Sequence, residues 1–88
     1  MPTISMFFGM VIRMYLGAKE HSPPHIHVYY QDDCASFHIR TGDIIDGDLP
    51  SRQRKIVIAW IEIHRDELLA DWSLAQAGEE PYKIEPLR

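Results

Sequence analysis

Three histidines fall within seven residues, His21-Ser22-Pro23-Pro24-His25-Ile26-His27, immediately ahead of an apolar run. In an extended strand successive side chains alternate, so His25 and His27 share one face, two positions apart. Imidazoles so spaced are suited to share a metal ion, a phosphate or an aromatic partner. A metal site would take His38 from a neighbouring strand or His21 from the loop as a further nitrogen, the neutral-imidazole set that zinc uses in open catalytic sites. Zinc or another divalent transition metal is then the cofactor to consider, although the plainer expectation is none. A metal-free site would have His25, His27 and His38 as catalytic candidates, two of them trading protons near neutral pH on a phosphodiester while Arg13 or Arg40 holds the charge. No Asp or Glu lies beside the pair on its own strand to act as a base; Glu20, Asp32 or Asp33 would have to fold back.

The elements that must position these groups follow from periodicity. Thr3 to Phe8 and Val11 to Leu16 are β-prone runs separated by Gly9-Met10, the spacing of a hairpin, with Ile4, Met6 and Phe8 expected inside against Ile12, Met14 and Leu16. Pro23-Pro24 keeps the chain extended into a strand from about His25 to Tyr30. Gln31-Asp32-Asp33 is turn chemistry, and the alternation of Ala35, Phe37 and Ile39 predicts an antiparallel fourth strand. The expected register sets Val28 opposite Phe37, His27 opposite His38 and His25 opposite Arg40. Ile44-Ile45 makes an edge strand at most, turned by Asp46-Gly47-Asp48.

From Pro50 onward, Val57, Trp60, Ile61, His64, Leu68, Trp72 and Ala75 recur at three and four residues until Gly78, which predicts one long helix. His64, within that stripe, is expected on the inner side with one hydrogen bond, separated from His25 and His27 by the sheet. The tail carries Ile84 and Leu87, fit to lie over the core or to reach a partner. The fold class expected is α+β: an antiparallel sheet of four to five strands, over about residues 3–46, with one C-terminal helix, about 50–77, packed on one face and an extended tail at 79–88.

A single helix leaves the other sheet face uncovered. Alternation places Arg13, Tyr15, His25, His27, Tyr29, His38 and Arg40 there, while Met6, Met14, Ile26, Val28 and Phe37 are expected inside. Arg and Tyr are favoured anchors at protein interfaces, and aromatic sheet faces also hold single-stranded RNA. An ordinary solvated sheet face is the plain alternative. A second basic group, Arg52, Arg54 and Lys55, opens the helix, with Glu62, Asp66, Glu67 and Asp71 after it, the reverse of what the helix dipole favours. An acidic partner or phosphate docked there would relieve the mismatch; so would pairing with Asp46 or Asp48.

Composition narrows the classes. With 88 residues, 45% apolar and 25% charged, the chain is expected to form one globular domain. A domain of this size buries only roughly 60–65% of its unfolded surface, which makes a homo-oligomer or a partner plausible. One cysteine, Cys34, allows no internal disulfide, and no leader or long apolar run is evident, so the expectation is a cytoplasmic protein without membrane insertion. A formal charge of −4 argues against general adhesion to nucleic acid.

The opening Pro2-Thr3-Ile4-Ser5-Met6-Phe7-Phe8-Gly9, the stretch His21 to Val28, the helix from Trp60 through His64, Glu67 and Leu68 to Trp72, and the closing Lys83-Ile84-Glu85-Pro86-Leu87 resemble the prokaryotic family catalogued as domain of unknown function 4160. The resemblance covers nearly the whole chain. It implies a small bacterial protein, often encoded next to a second small protein in a toxin–antitoxin-like pair, and no catalytic residues carry over from it. His21, Pro23, Pro24, His25, His27, Trp60, His64 and Trp72 fall on the family's motif positions. The function expected is a non-enzymatic protein-interaction module of such a pair, binding through the outer sheet face and the His21–His27 segment. The alternative is a small metal-dependent or histidine-based hydrolase or nuclease at the same histidines.

Overall fold

A computed structural model describes residues 2–17 and 23–88. Five strands, β1 (Thr3–Phe7), β2 (Met10–Arg13), β3 (His25–Tyr30), β4 (Asp33–His38) and β5 (Ile44–Gly47), precede one helix, α1 (Ser51–Gln76). The sheet is an antiparallel meander in the order β1-β2-β3-β4-β5. The α+β class is thus as the periodicity requires, and so is the span of β3.

The first hairpin differs from expectation. Its turn is Phe8-Gly9, both at positive φ (49° and 76°), the geometry of a two-residue type I′ turn, so Phe7 pairs with Met10. That pairing reverses the phase of β1. Phe7 packs inside, 5.1 Å ring to ring from Trp60, whereas Met6 and Phe8 are 63% and 49% exposed. Ser5 points inward opposite Ile12, and a bulge between Thr3 and Ser5 returns Ile4 to the core. Leu16 lies beyond β2 and is exposed.

The β3–β4 hairpin also turns in two residues, Gln31-Asp32, and Tyr30 pairs with Asp33. Relative to expectation the register moves by two, which preserves every face and changes every partner: Val28 meets Ala35, Ile26 meets Phe37, His27 meets Ser36 and His25 meets His38. Arg40 leaves the sheet altogether, in the turn after β4. On β5, Gly47 has φ +72°, and a Cβ there would fall on the Cys34 carbonyl oxygen, so that position needs glycine.

Helix α1 buries Val57, Trp60, Ile61, Leu68 and Ala75 on the sheet's inner side, and toward its C-terminal end it also buries Asp71 and Trp72. It contains neither proline nor glycine, yet the helix breaks at His64 (φ −109°, ψ 19°). Its C-terminal end is tied down twice. Glu79 N donates to Leu74 O past Gly78, and Gly17 N donates to Ala75 O, which draws the end of α1 toward the chain leaving β2. The tail lies over the core: Ile84 is buried, its N–H donates to Ile4 O at 2.8 Å, and Trp60 Nε1 donates to Glu85 O at 2.9 Å. Among the described residues no helix is long and apolar enough to cross a membrane.

Candidate functional site

Because facing residues of an antiparallel pair project to the same side, the outer face can be read in rows across the strands. One row runs Thr3, Arg13, His27, Ser36, Asp46; the next runs Met6, Val11, Tyr29, Cys34; His25 faces His38 in a third. The apolar residues between them, Ile12, Ile26, Val28, Ala35 and Phe37, are buried on the other side. His25 and His27 therefore do look outward together.

Around them the rings form a continuous series. The centroids of His25 and His27 are 5.0 Å apart at 73°, and Tyr15 meets His27 edge-on at 4.4 Å. The Tyr15 and Tyr29 hydroxyls are hydrogen bonded, and the Arg13 guanidinium lies 5.3 Å from the centre of the Tyr29 ring. At the other end His25 reaches Trp72, 5.0 Å away, at the end of α1 that the Gly17–Ala75 bond draws in. The face is thus not wholly uncovered, since the last turns of the helix close one end of it.

Individual atoms are fixed as well. His25 Nδ1–H donates to Pro23 O at 2.7 Å, which orients the ring and assigns the proton to Nδ1, leaving Nε2 as the other pole. His27 Nδ1 shares a hydrogen bond of 3.2 Å with Ser36 Oγ. Partial burial and the neighbouring His25 charge hold His27 below its ordinary value of 6.5, favouring the neutral ring. The bond to Tyr15, then burial, raises the Tyr29 phenol.

The structure brings together Arg13, Tyr15, His25, His27 and Tyr29, with His38 as the cross-strand neighbour of His25. It does not bring Arg40, which stands exposed in its turn, nor the basic group of α1, where Arg54 pairs with Asp48 at 3.0 Å. His21 lies outside the described residues. His64 is on the inner side as expected, donating from Nδ1 to Glu67 Oε1 at 2.6 Å with its ring 5.5 Å from Trp60. Among the described residues no group of three or more His, Cys, Asp or Glu side chains is placed to hold a metal ion.

Sequence reasoning missed Ser36, Asp46 and Trp72 as members of this face. Ser36 becomes visible once the β3–β4 turn is given two residues rather than four, whereas Asp46 joins through β5, which runs on to Gly47 instead of turning at Asp46 as expected. Trp72 belongs to the helix stripe by its spacing, which does not mark it as the residue that meets His25.

No curated protein and no solved structure matches the chain. A family match does exist, over residues 9–73, which takes in β2 through most of α1 and so every member of the ring series. With that span matched, the chain belongs to the family described as Domain of unknown function (DUF4160).

Proposed function

We propose that the protein is a non-enzymatic interaction module that holds a protein partner on its outer sheet face, with His25 and His27 at the centre of the contact. The observation that supports this reading most is the preassembled series Trp72, His25, His27, Tyr15, Tyr29 and Arg13. Side chains of these types lose little further freedom when a partner arrives, because neighbouring rings already hold them, and Tyr, Trp and Arg dominate the binding energy of protein interfaces. The paired genes implied by the family resemblance suggest a small protein encoded nearby, in a toxin–antitoxin-like arrangement within the bacterial cytoplasm.

The test is calorimetric titration of the neighbour-encoded protein against wild type and a His25→Ala/His27→Ala double variant. The expected outcome is binding weakened by about tenfold or more, with folding stability held within about 1 kcal/mol, since the two rings are half-exposed. Unchanged affinity in the double variant would remove the histidines from the interface.

A second reading has one specific observation in its favour. The Pro23 carbonyl fixes the proton of His25 on Nδ1, as in histidines that present Nε2 to a substrate or a metal, and His27 favours its neutral, base-competent form. A histidine-based or metal-dependent hydrolase acting on RNA or DNA would use that pair. Incubating wild type with both nucleic acids, each with zinc, manganese or magnesium, decides it: cleavage lost in the double variant supports the hydrolase, and no cleavage under any condition removes it.

A further inference from the structure

Arg13 is held in an unusual way. It lies directly across from His27, its guanidinium stacks on Tyr29, and its Nε is out of solvent's reach with no hydrogen-bond partner among the described residues. Three described arginines are half-buried, Arg13, Arg54 and Arg65. Arg54 has Asp48 at 3.0 Å and Arg65 has Glu62 at 2.8 Å. Even the exposed Arg88 pairs with Glu85 at 3.0 Å. Arg13 alone of the half-buried set has no carboxylate among the described residues, although partial desolvation makes an unpaired guanidinium costly.

Among the described residues, carboxylates are missing from its surroundings. The chain carries a formal −4, yet the outward positions of β2, β3 and β4 hold Arg13, His25, His27 and His38 and no carboxylate. The acid on this face in the same row as Arg13 is Asp46, three strands away on β5, beyond His27 and Ser36. A planar guanidinium fixed by stacking presents its donors as a fork, and with Nε buried the two terminal nitrogens are the ones that can meet a carboxylate with two parallel hydrogen bonds.

We propose that Arg13 is the anchor for a side-chain carboxylate of an acidic protein partner, received beside His27 on the outer face. The proposal rests on the reading of that face as a protein-binding surface and adds the partner's chemistry: Asp or Glu at the centre of its contact. Tyr29 acts as a positioning residue that keeps the fork in place.

A fluorescent glutamate-rich peptide, the same peptide with glutamine throughout, and a single-stranded RNA oligonucleotide serve as probes for wild type, Arg13→Gln and Arg13→Lys. Wild type is expected to bind the glutamate peptide saturably and the glutamine peptide about tenfold or more weakly, with Arg13→Gln losing that difference. Arg13→Lys should recover only part of it, because an ammonium is a point charge without the fork. In wild type the Arg13 Nε–H resonance should shift on adding the glutamate peptide, a readout that requires no variant to fold. Equal binding of the glutamate peptide by wild type and Arg13→Gln, absence of binding and of any resonance shift in wild type, or Arg13-dependent binding of RNA alone would each overturn the proposal. Its failure is separable from that of the interface reading. If the neighbour-encoded protein is lost from the His25→Ala/His27→Ala variant but kept by Arg13→Gln, the face stands and the carboxylate anchor falls; if both variants keep it, both readings fall.

Discussion

The two faces of the same five-stranded sheet use their residues in opposite ways. On the inner face Ile12, Ile26, Val28 and Phe37 are fully buried beneath Trp60, Ile61 and Leu68, and the tail seals the margin through Ile84. On the outer face the side chains are half-exposed, polar and joined ring to ring. The contrast separates the face that carries stability from the face proposed for recognition. Apolar burial contributes about 1.5–3 kcal/mol per large side chain, so the inner face carries the fold. Half-buried polar rings contribute less to folding than the apolar layer, and their assembly fits the partner-binding role proposed for this face.

Substitutions that break this division sort by expected size. Trp60→Ala removes the centre of the inner layer and the donor that holds Glu85, and should cost about 3–5 kcal/mol, enough to unfold much of an 88-residue chain. Urea denaturation followed by circular dichroism measures it; a loss below about 1 kcal/mol would mean that the inner face is not the seat of stability. Next comes Gly47→Ala, which forces a Cβ against the Cys34 carbonyl at a positive φ and should cost about 2 kcal/mol by loosening β5. Hydrogen exchange of the Asp48 N–H, bonded to Cys34 O at 3.2 Å, reports it locally.

Asp71 is the exception to the division, an acid on the inner side that is only 3% exposed. One of its oxygens accepts the Tyr82 N–H at 3.0 Å, and Oδ2 has no partner among the described residues. Burial first, then the nearby Glu67 charge, raises it above its ordinary value of 3.8. A raised acid is favoured in its protonated form by folding, so its contribution is fully present below the ordinary value and is lost as pH rises through the raised one. Asp71→Asn keeps an acceptor for Tyr82 and should therefore stabilise the protein by about 1 kcal/mol at neutral pH, an advantage that shrinks on acidification. Thermal melts of the two proteins from neutral to acid pH check this, and an advantage independent of pH would contradict it.

The smallest effect concerns the outer face alone. A depressed histidine adds stability above its ordinary value and loses it as pH falls through the lowered one, so His27 should weaken the fold slightly on mild acidification. Because burial is the larger cause and His25 the lesser, His25→Ala should move the His27 titration only part of the way back toward 6.5, as read from its ring resonances by NMR. A full return would show that charge rather than burial governs the ring.

How legible each strand was depended on its alternation. In β3 and β4 the aliphatic residues and Phe37 occupy one phase only, and the faces followed directly from the pattern. In β1 both phases are apolar, Ile4, Met6 and Phe8 in one and Phe7 in the other, so hydrophobicity could not choose between them. A type I′ turn chose, by pairing Phe7 with Met10. The candidate site divides in the same manner. The outward aim of Arg13, His25, His27 and Tyr29 was readable; their contacts with Ser36 and Trp72 were not.

What the sequence determined by itself is phase: a period of two in the strands and of three to four in the helix sorts residues between core and surface, because burial rewards one face regardless of the neighbour. Offset is a different quantity. Sliding β4 by two residues along β3 leaves every apolar side chain buried, so patterning is indifferent to it, and only the closed two-residue turn at Gln31-Asp32 set His27 beside Ser36 instead of His38. In the same way, only the docking of the end of α1 through Gly17 and Ala75 brought Trp72 onto His25, a contact between residues 47 positions apart that local spacing does not encode.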